Sequence, residues 1–526
     1  MSWYDRALRS VGLQRVQEPA RRQRFSAIQT AYAGAKIDRL SEDWVVALMS
    51  PDQEIRVSLR NLRARSRQLA MNNNHALRFL NAAKEQVVGP GGVALELTFS
   101  EDDFTGAGKW NRNLEKAWEC WSKCCTADSK LNLTAAAQLW LISLLADGES
   151  FTHKIKGYPH NDFAFALQFV DPDQVDINWQ RLRRPGDPGP NEIRMGVEVD
   201  EYRRVVAFWT YRGHPSEFSG IIRERVPASQ MDQSFVFKRI NQTRGVPWMH
   251  AAMSTMNQLG QYDLAEVVAS RWAACKMAFL VSKTGDEYAG GKKKNEGPTQ
   301  INVEPGMMEE LPEGIEPKVV DWQHPSHNYE SFSLAALRGI AAGLDCSYTT
   351  LTGDLRAVNF SSIRQGILTE RDGWSVLQGQ LVSGFYQPTF ESWLPMAILT
   401  GQIELPPRMT VQDVLEAVLW TPRGWDWVDP YKDVQASVSA IRSGLSTYQR
   451  ECAKRGLDWR KVFAQRAAED AEAKKLNLAL DLTTSGAGGI QGEESQEDPQ
   501  RGAQPTTGKT LPAPTRKPNG QGALPQ

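Results

Sequence analysis

Between residues 55 and 88, apolar side chains recur at Leu62, Leu69, Ala76, Leu80, Ala83 and Val87, with the seven-residue and three- or four-residue spacing of one helix face. Gly89, Pro90, Gly91 and Gly92 end that helix, since proline lacks an amide hydrogen and successive glycines gain too much freedom elsewhere. Two more helices are predicted at 111–124, carrying Trp118 and Trp121, and at 134–146, closing on Asp147 and Gly148. Beyond them the period changes to two. Residues 151–155, 164–170, 193–199 and 204–211 alternate or run apolar with β-branched residues, and the last two flank 200–203 as a hairpin would.

Arg244, Gly245, Val246, Pro247 and Trp248 open a long helical stretch to about residue 276, with Pro247 suited to the first turn. Its Met249, Met253, Met256, Leu264, Val267, Val268 and Trp272 are predicted to pack into a core. Residues 279–328 turn polar, with Gly290, Gly291 and a lysine run followed by short β-like pieces and prolines, and read as a small insertion. A helix resumes near Tyr329, carries Phe332, Leu334, Leu337, Ile340 and Ala341, and breaks at Gly343 into a loop over 345–360. A further long helix starts at Ser361 or Ser362 and keeps helical spacing through Ile363, Ile367, Trp374, Leu377 and Leu381. Helices are predicted again from Asp429 and Pro430 to about residue 480, and the polar sequence after Thr484 is expected to be disordered. The first fifty residues, with Arg21, Arg22 and Arg24, read as an arm.

A chain of 526 residues, 41% hydrophobic, has enough apolar surface for one or more substantial cores. No apolar run reaches the length of a membrane span, and the N-terminus lacks a basic segment followed by an apolar core, so the chain is expected to stay in the cytoplasm. Its 61 basic and 62 acidic residues give a net charge of -1, which argues against tight duplex binding, although a channel that lets DNA slide needs little net attraction. The arginines of the first helix, Arg56, Arg60, Arg63, Arg65 and Arg67, suit a solvated face as well as a phosphate-facing stripe.

Catalytic and metal-binding patterns are missing from the sequence. It has no phosphate loop of the G-x-x-x-x-G-K-[ST] kind, no H-E-x-x-H and no G-x-S-x-G. The six cysteines include the close group Cys120, Cys124 and Cys125, which lacks paired C-x-x-C spacing and reads as small, partly buried residues beside one helix. His324 and His327 read as polar loop, and Asp354 as a turn cap. No cofactor is expected.

Several segments, in their order along the chain, resemble those of lambda-type tailed-phage portal proteins. They are RARSRQLAMNNN at 63–74 running to VVGPGG at 87–92, WECWSK at 118–123, LADGESF at 145–151, MGVEVDEYRRVVAFW at 195–209 and TRGVPWM at 243–249. YESFSLAALRGIAAGLDCSYTTLTGDLRAVNFSSIR at 329–364 follows and is the most specific, and WDWVDPYKDVQA at 425–436 completes the series. Cys346 stands where the family commonly has proline, and Phe360 where it commonly has tyrosine, which questions any hydroxyl role at position 360.

The resemblance implies an α+β portal fold, a non-enzymatic role and a homo-oligomeric ring, commonly a dodecamer, in the virion at one capsid vertex. It implies an N-terminal arm (1–54), an αβ wing (55–242), stem helices (243–276 and 329–344) around a clip (277–328) and a tunnel loop (345–360). A long helix returning to the wing (361–428), a helical crown (429–483) and a tail (484–526) would follow. Implied partners are the terminase large subunit, the major capsid protein, head-completion and connector proteins, and double-stranded DNA in weak, non-specific contact. Thr349, Thr350, Thr352, Arg356 and Asn359 would face the DNA channel, and Lys292, Lys293 and Lys294 would meet terminase or connector. A nucleic-acid enzyme with an unrecognised metal site and a non-ring structural adaptor are the competing readings, and formation of a closed ring separates the portal from both.

Overall fold

The computed structural model describes residues 48–183, 189–217, 222–274, 278–282, 315–319, 329–356, 360–425, 430–455 and 457–476. The first helix, α1 (Pro51–Asn72), starts at a capping box. The Ser50 hydroxyl accepts from the Gln53 amide at 3.3 Å, and the Gln53 side chain accepts from the Ser50 amide at 3.2 Å. The single helix expected over 55–88 is interrupted at Asn73, whose backbone is extended and whose side chain accepts from the His75 and Ala76 amides at 3.0 Å each, so it caps a new helix, α2 (Asn74–Ala83). Asparagine in the interior of a periodic apolar pattern was the signal for this break. A π turn, Lys84–Val88, completes the segment before Gly89.

Strand β1 (Ala94–Leu97) is followed by α3 (Ala107–Ser122) and α4 (Leu133–Ala146). Next come β2 (Glu149–Lys156), β3 (Phe165–Val170), β4 (Glu192–Arg194), β5 (Val197–Val199), β6 (Val205–Tyr211), β7 (Arg223–Pro227) and β8 (Met231–Phe235). They form a three-stranded sheet in the order β3-β2-β8 and a four-stranded antiparallel sheet in the order β4-β5-β6-β7. The strand expected over 193–199 is two strands, because Gly196 takes a positive φ of 82°, where a Cβ would lie 2.8 Å from the Asp176 carbonyl. The hairpin expected at 200–203 joins β5 to β6, with the Asp200 carboxylate accepting from the Tyr202 and Arg204 amides.

After a 3₁₀ turn at Trp248–Ala251 comes α5 (Met253–Ala274), so Pro247 precedes a short turn and not the long helix itself. Met249, Met253 and Met256 are buried as expected, whereas Leu264, Val267 and Val268 are exposed. The first half of that face meets the core, and the second runs past it. Strands β9 (Ala278–Ser282) and β10 (Ile315–Val319) pair antiparallel inside the polar insertion. Then follow α6 (Tyr329–Leu344), α7 (Tyr348–Thr352), α8 (Phe360–Leu381), a π turn at Val382–Tyr386, and α9 (Gln387–Leu399). The short helix α10 (Val411–Glu416) leads to β11 (Val418–Thr421), which pairs with β1 in the register Ala94↔Thr421. Helices α11 (Pro430–Arg442), α12 (Tyr448–Ala453) and α13 (Trp459–Lys475) end the described chain. The chain divides into two units, Met1–Val462 and Phe463–Gln526.

The main core of the first unit is aromatic. Trp118 and Trp121 of α3 meet Phe390 and Trp393 of α9, with the Trp118 and Trp393 rings 5.0 Å apart in an edge-on arrangement. Helix α4 lies among them and buries Trp140, Leu141, Leu144 and Leu145. Cys120 and Cys124 are exposed at the end of α3, and Cys125 is buried, its thiol pushed up to about 12 by burial.

Candidate functional site: the segment between two long helices

Helix α6 ends at Leu344, one residue past Gly343, and Asp345 adopts a positive φ of 59° that turns the chain. Ser347 then caps α7, its hydroxyl accepting from the Thr350 amide at 3.0 Å. Gly353, at φ 72°, closes α7 by donating to the Thr349 carbonyl at 2.7 Å. The residues expected to form a loop over 345–360 therefore include a one-turn helix capped at both ends.

Three elements hold α7 in place. Leu351 is buried in the main core beside α2. Arg78 of α2 donates to the Thr350 carbonyl at 3.2 Å. Glu370 of α8 accepts from the Thr350 hydroxyl at 2.9 Å and from the Ser347 amide at 3.3 Å. A cavity of about 590 Å³ opens at this joint, lined by Ala342, Asp345, Cys346, Ser347, Glu370 and Gly373 among others. The Cys346 thiol is pushed up to about 12 by burial and then by Glu370 and Asp345.

The structure brings Thr349, Thr350, Thr352 and Arg356 together on or beside α7, while Asn359 lies outside the described residues. The hydroxyl groups are engaged within the segment: Thr350 with Glu370, Thr349 with Ser347 at 3.0 Å, and Thr352 with the Tyr348 carbonyl at 2.8 Å. Arg356 is exposed. Its guanidinium donates to Asp354 through two bonds of 3.0 Å each and lies 3.8 Å from Glu330. The Arg356 hydrogen bond holds the Asp354 carboxyl well below the usual carboxylate range. Lys292, Lys293 and Lys294 lie outside the described residues.

Neither reading of the α1 arginines holds for Arg63 and Arg67. Arg63 is 1% exposed and pairs with Glu149 at 2.7 Å and Asp173 at 2.6 Å. Arg67 reaches Asp147, Asp171 and Asp173 at 2.6, 2.9 and 2.7 Å. Glu149, fully buried at the start of β2, also accepts from Arg244, which is itself fully buried, at 2.6 Å. Gln233 donates to the same carboxylate at 2.8 Å. Burial opposes ionisation of Glu149, but the Arg244 and Arg63 charges outweigh it and hold the carboxyl below its ordinary range. The network fastens α1 to β2 and to residue 244, the point from which the chain runs into α5. Only Arg56, Arg60 and Arg65 of the arginine series are exposed. Sequence periodicity could not reveal this, because the partners lie 86 and 110 positions away from Arg63.

Among the described residues, one group has metal-ligand spacing: Asp171, Asp173 and His214, with ligand atoms within 4.8 Å of one another. Its two carboxylates already face Arg63 and Arg67, whose positive charges oppose a divalent cation there. The arrangement is a salt-bridge cluster.

The chain is similar to the probable portal protein of Halomonas phage phiHAP-1, 29% identical over 499 residues that cover 91% of this chain and 94% of that protein. It is 24% identical over 462 residues to portal protein B of Escherichia phage lambda, covering 79% of this chain and 84% of that one. Among solved structures, a chain from the virion of a native gene transfer agent particle aligns with a TM-score of 0.45 and 12% identity, over 79% of this chain and 98% of that chain. The sequence profile described as "Phage portal protein, lambda family" matches residues 38–378, and with more than half of its length so matched, this chain belongs to the lambda family of phage portal proteins.

Proposed function

We propose that copies of this chain close into a ring, commonly of twelve, at one capsid vertex of the virion, forming the channel through which double-stranded DNA is packaged and ejected. The observation that carries the ring is the exposed apolar half of α5. Leu264, Val267 and Val268, with Phe332 of α6, stand in water in a lone subunit of a portal-family chain, and adjacent copies would bury them. In this reading α5 and α6 are the stem, the β9–β10 region with Lys292, Lys293 and Lys294 is the clip that meets terminase and the connector proteins, and the αβ body is the wing beside the major capsid protein. The helices from Pro430 onward are the crown.

The segment 345–360 is the tunnel element, and its docked geometry supports weak, reversible DNA contact. The threonine hydroxyls are already satisfied, and the one exposed cation of the described part, Arg356, is balanced by Asp354, so the net pull on phosphates is small. With a net charge of -1, the chain suits a channel in which DNA slides. Electron microscopy of the purified full chain tests the proposal. A closed ring with a central hole wide enough for duplex DNA supports it, and monomers or dimers across the accessible concentration range refute it.

A further inference from the structure

Residues 55–72 of α1 hold five arginines and no acidic residue. The turn of the helix divides the arginines between two faces. Arg63 and Arg67 turn toward the body and are taken by Glu149, Asp147, Asp171 and Asp173, which fixes the direction in which the rest of the helix faces. Arg56, Arg60 and Arg65 lie in solvent, and no carboxylate among the described residues pairs with any of them. Arg56 and Arg60 are one turn apart, ~6 Å along the axis, and Arg65 stands ~7.5 Å further along on the other flank of the same face. Ser58, Asn61 and Gln68, also exposed, place neutral polar groups among them.

A helix face that serves solubility alone carries both signs of charge. Helix α13 does so, with Lys474 paired to Asp470 at 2.8 Å and Lys475 to Glu472 at 2.9 Å. On α1 three like charges stand on one face with no acid to offset them. The face also lacks the aromatic anchor of a protein interface, since its large apolar side chains are Val57 and Met71, almost four turns apart. Guanidinium groups interspersed with serine, asparagine and glutamine are the donor set of contacts to a phosphate backbone. We propose that the outward face of α1 is a contact for duplex DNA separate from the segment at 345–360, with Arg56, Arg60 and Arg65 each donating to a phosphate. Three phosphates held in this way make a weak, sequence-independent contact, in keeping with the net charge of -1. The contact does not depend on closure of a ring, because a single copy presents the whole face.

Fluorescence anisotropy of a short labelled duplex, titrated with the full chain over a series of salt concentrations, tests the inference. The native protein is compared with the Arg56→Gln/Arg60→Gln/Arg65→Gln variant, its circular dichroism unchanged; both keep the native 345–360 segment, so any contact made there cancels. Loss of three phosphate contacts should lower the log-log salt slope by about 2.7, so that raising salt from about 50 to about 200 mM weakens the native protein roughly fortyfold more than the variant. The Arg56→Lys/Arg60→Lys/Arg65→Lys variant should restore the slope, since the slope counts charges. Equal slopes in the native and glutamine proteins, or no duplex binding by the native protein at the lowest salt, overturn the proposal. Modification of the native protein by phenylglyoxal, read by mass spectrometry, should be suppressed at Arg56, Arg60 and Arg65 when duplex is added. Protection of these arginines without DNA would show that a neighbouring copy covers the face, and polyglutamate bound as tightly as the duplex, and lost in the glutamine variant, would assign the face to an acidic polypeptide; either result overturns the inference.

Discussion

Glu149→Gln keeps the shape of the side chain and removes one buried charge. In the native protein the carboxylate faces Arg63 at 2.7 Å and Arg244 at 2.6 Å, with all three side chains at most 1% exposed. After the substitution Arg63 retains Asp173, but Arg244 retains only carbonyl acceptors, those of Met195 at 2.6 Å, Pro172 at 3.1 Å and Val175 at 3.3 Å. Breaking a buried pair in this way costs about 3–5 kcal/mol, a shift of roughly a hundred- to several-thousand-fold in the folding equilibrium. The assay is urea unfolding followed by tryptophan fluorescence, at one fixed protein concentration because assembly shifts apparent stability. The variant should unfold at a clearly lower midpoint. A change worth less than about 0.5 kcal/mol, the size of an ordinary surface substitution, would refute the assignment of this network as the anchor of α1.

The pH dependence has a definite sign. The folded Glu149 carboxyl lies below its ordinary value of 4.5, so its contribution is fully present above that pH and is lost as the pH falls through the folded value. Glu149→Gln should flatten this part of the acid unfolding curve, and an unaltered acid profile would place the acid sensitivity elsewhere.

The backbone close to the network makes its own demand: a Cβ at Gly245 would overlap the Gly148 carbonyl, so Gly245→Ala should lose about 3 kcal/mol by the same urea assay, and a neutral result would mean that the two segments can separate. Glu370→Gln weakens a charge-assisted tie worth about 1.5–3 kcal/mol, so amide exchange at Leu351 and Gly353 should accelerate by about tenfold or more, and unchanged protection would show that Leu351 and Arg78 suffice to hold α7. Arg356→Glu should impair DNA packaging or retention, and unaltered values of both would remove Arg356 from the channel. Maleimide should modify the exposed Cys120 and Cys124 well before Cys125 and Cys346, whose thiols are pushed up to about 12; equally fast labelling of Cys346 would show that the joint between α6 and α8 opens.

Local order was legible in the amino-acid sequence. Helix and strand periods, the glycine and proline stops, and the capping residues placed α3, α4, β2, β3, β6 and α8 within a few residues, because these signals depend on neighbours three or four positions away. The ordered motifs pointed to the portal family for the same reason, each being a short string. What the tertiary structure decided depends on distant partners. Arg63 has a place in the core only because the carboxylates of Glu149 and Asp173 converge on it, and the pairing of β1 with β11 joins residues more than 300 positions apart. The apolar face of α5 carries one continuous pattern, yet only its first half meets a core. In the segment at 345–360 the polar composition was plain, but that the Thr350 hydroxyl is taken by Glu370 and its carbonyl by Arg78 depends on side chains from two other helices. Periodicity reports which residues share a face, and packing alone determines what that face meets.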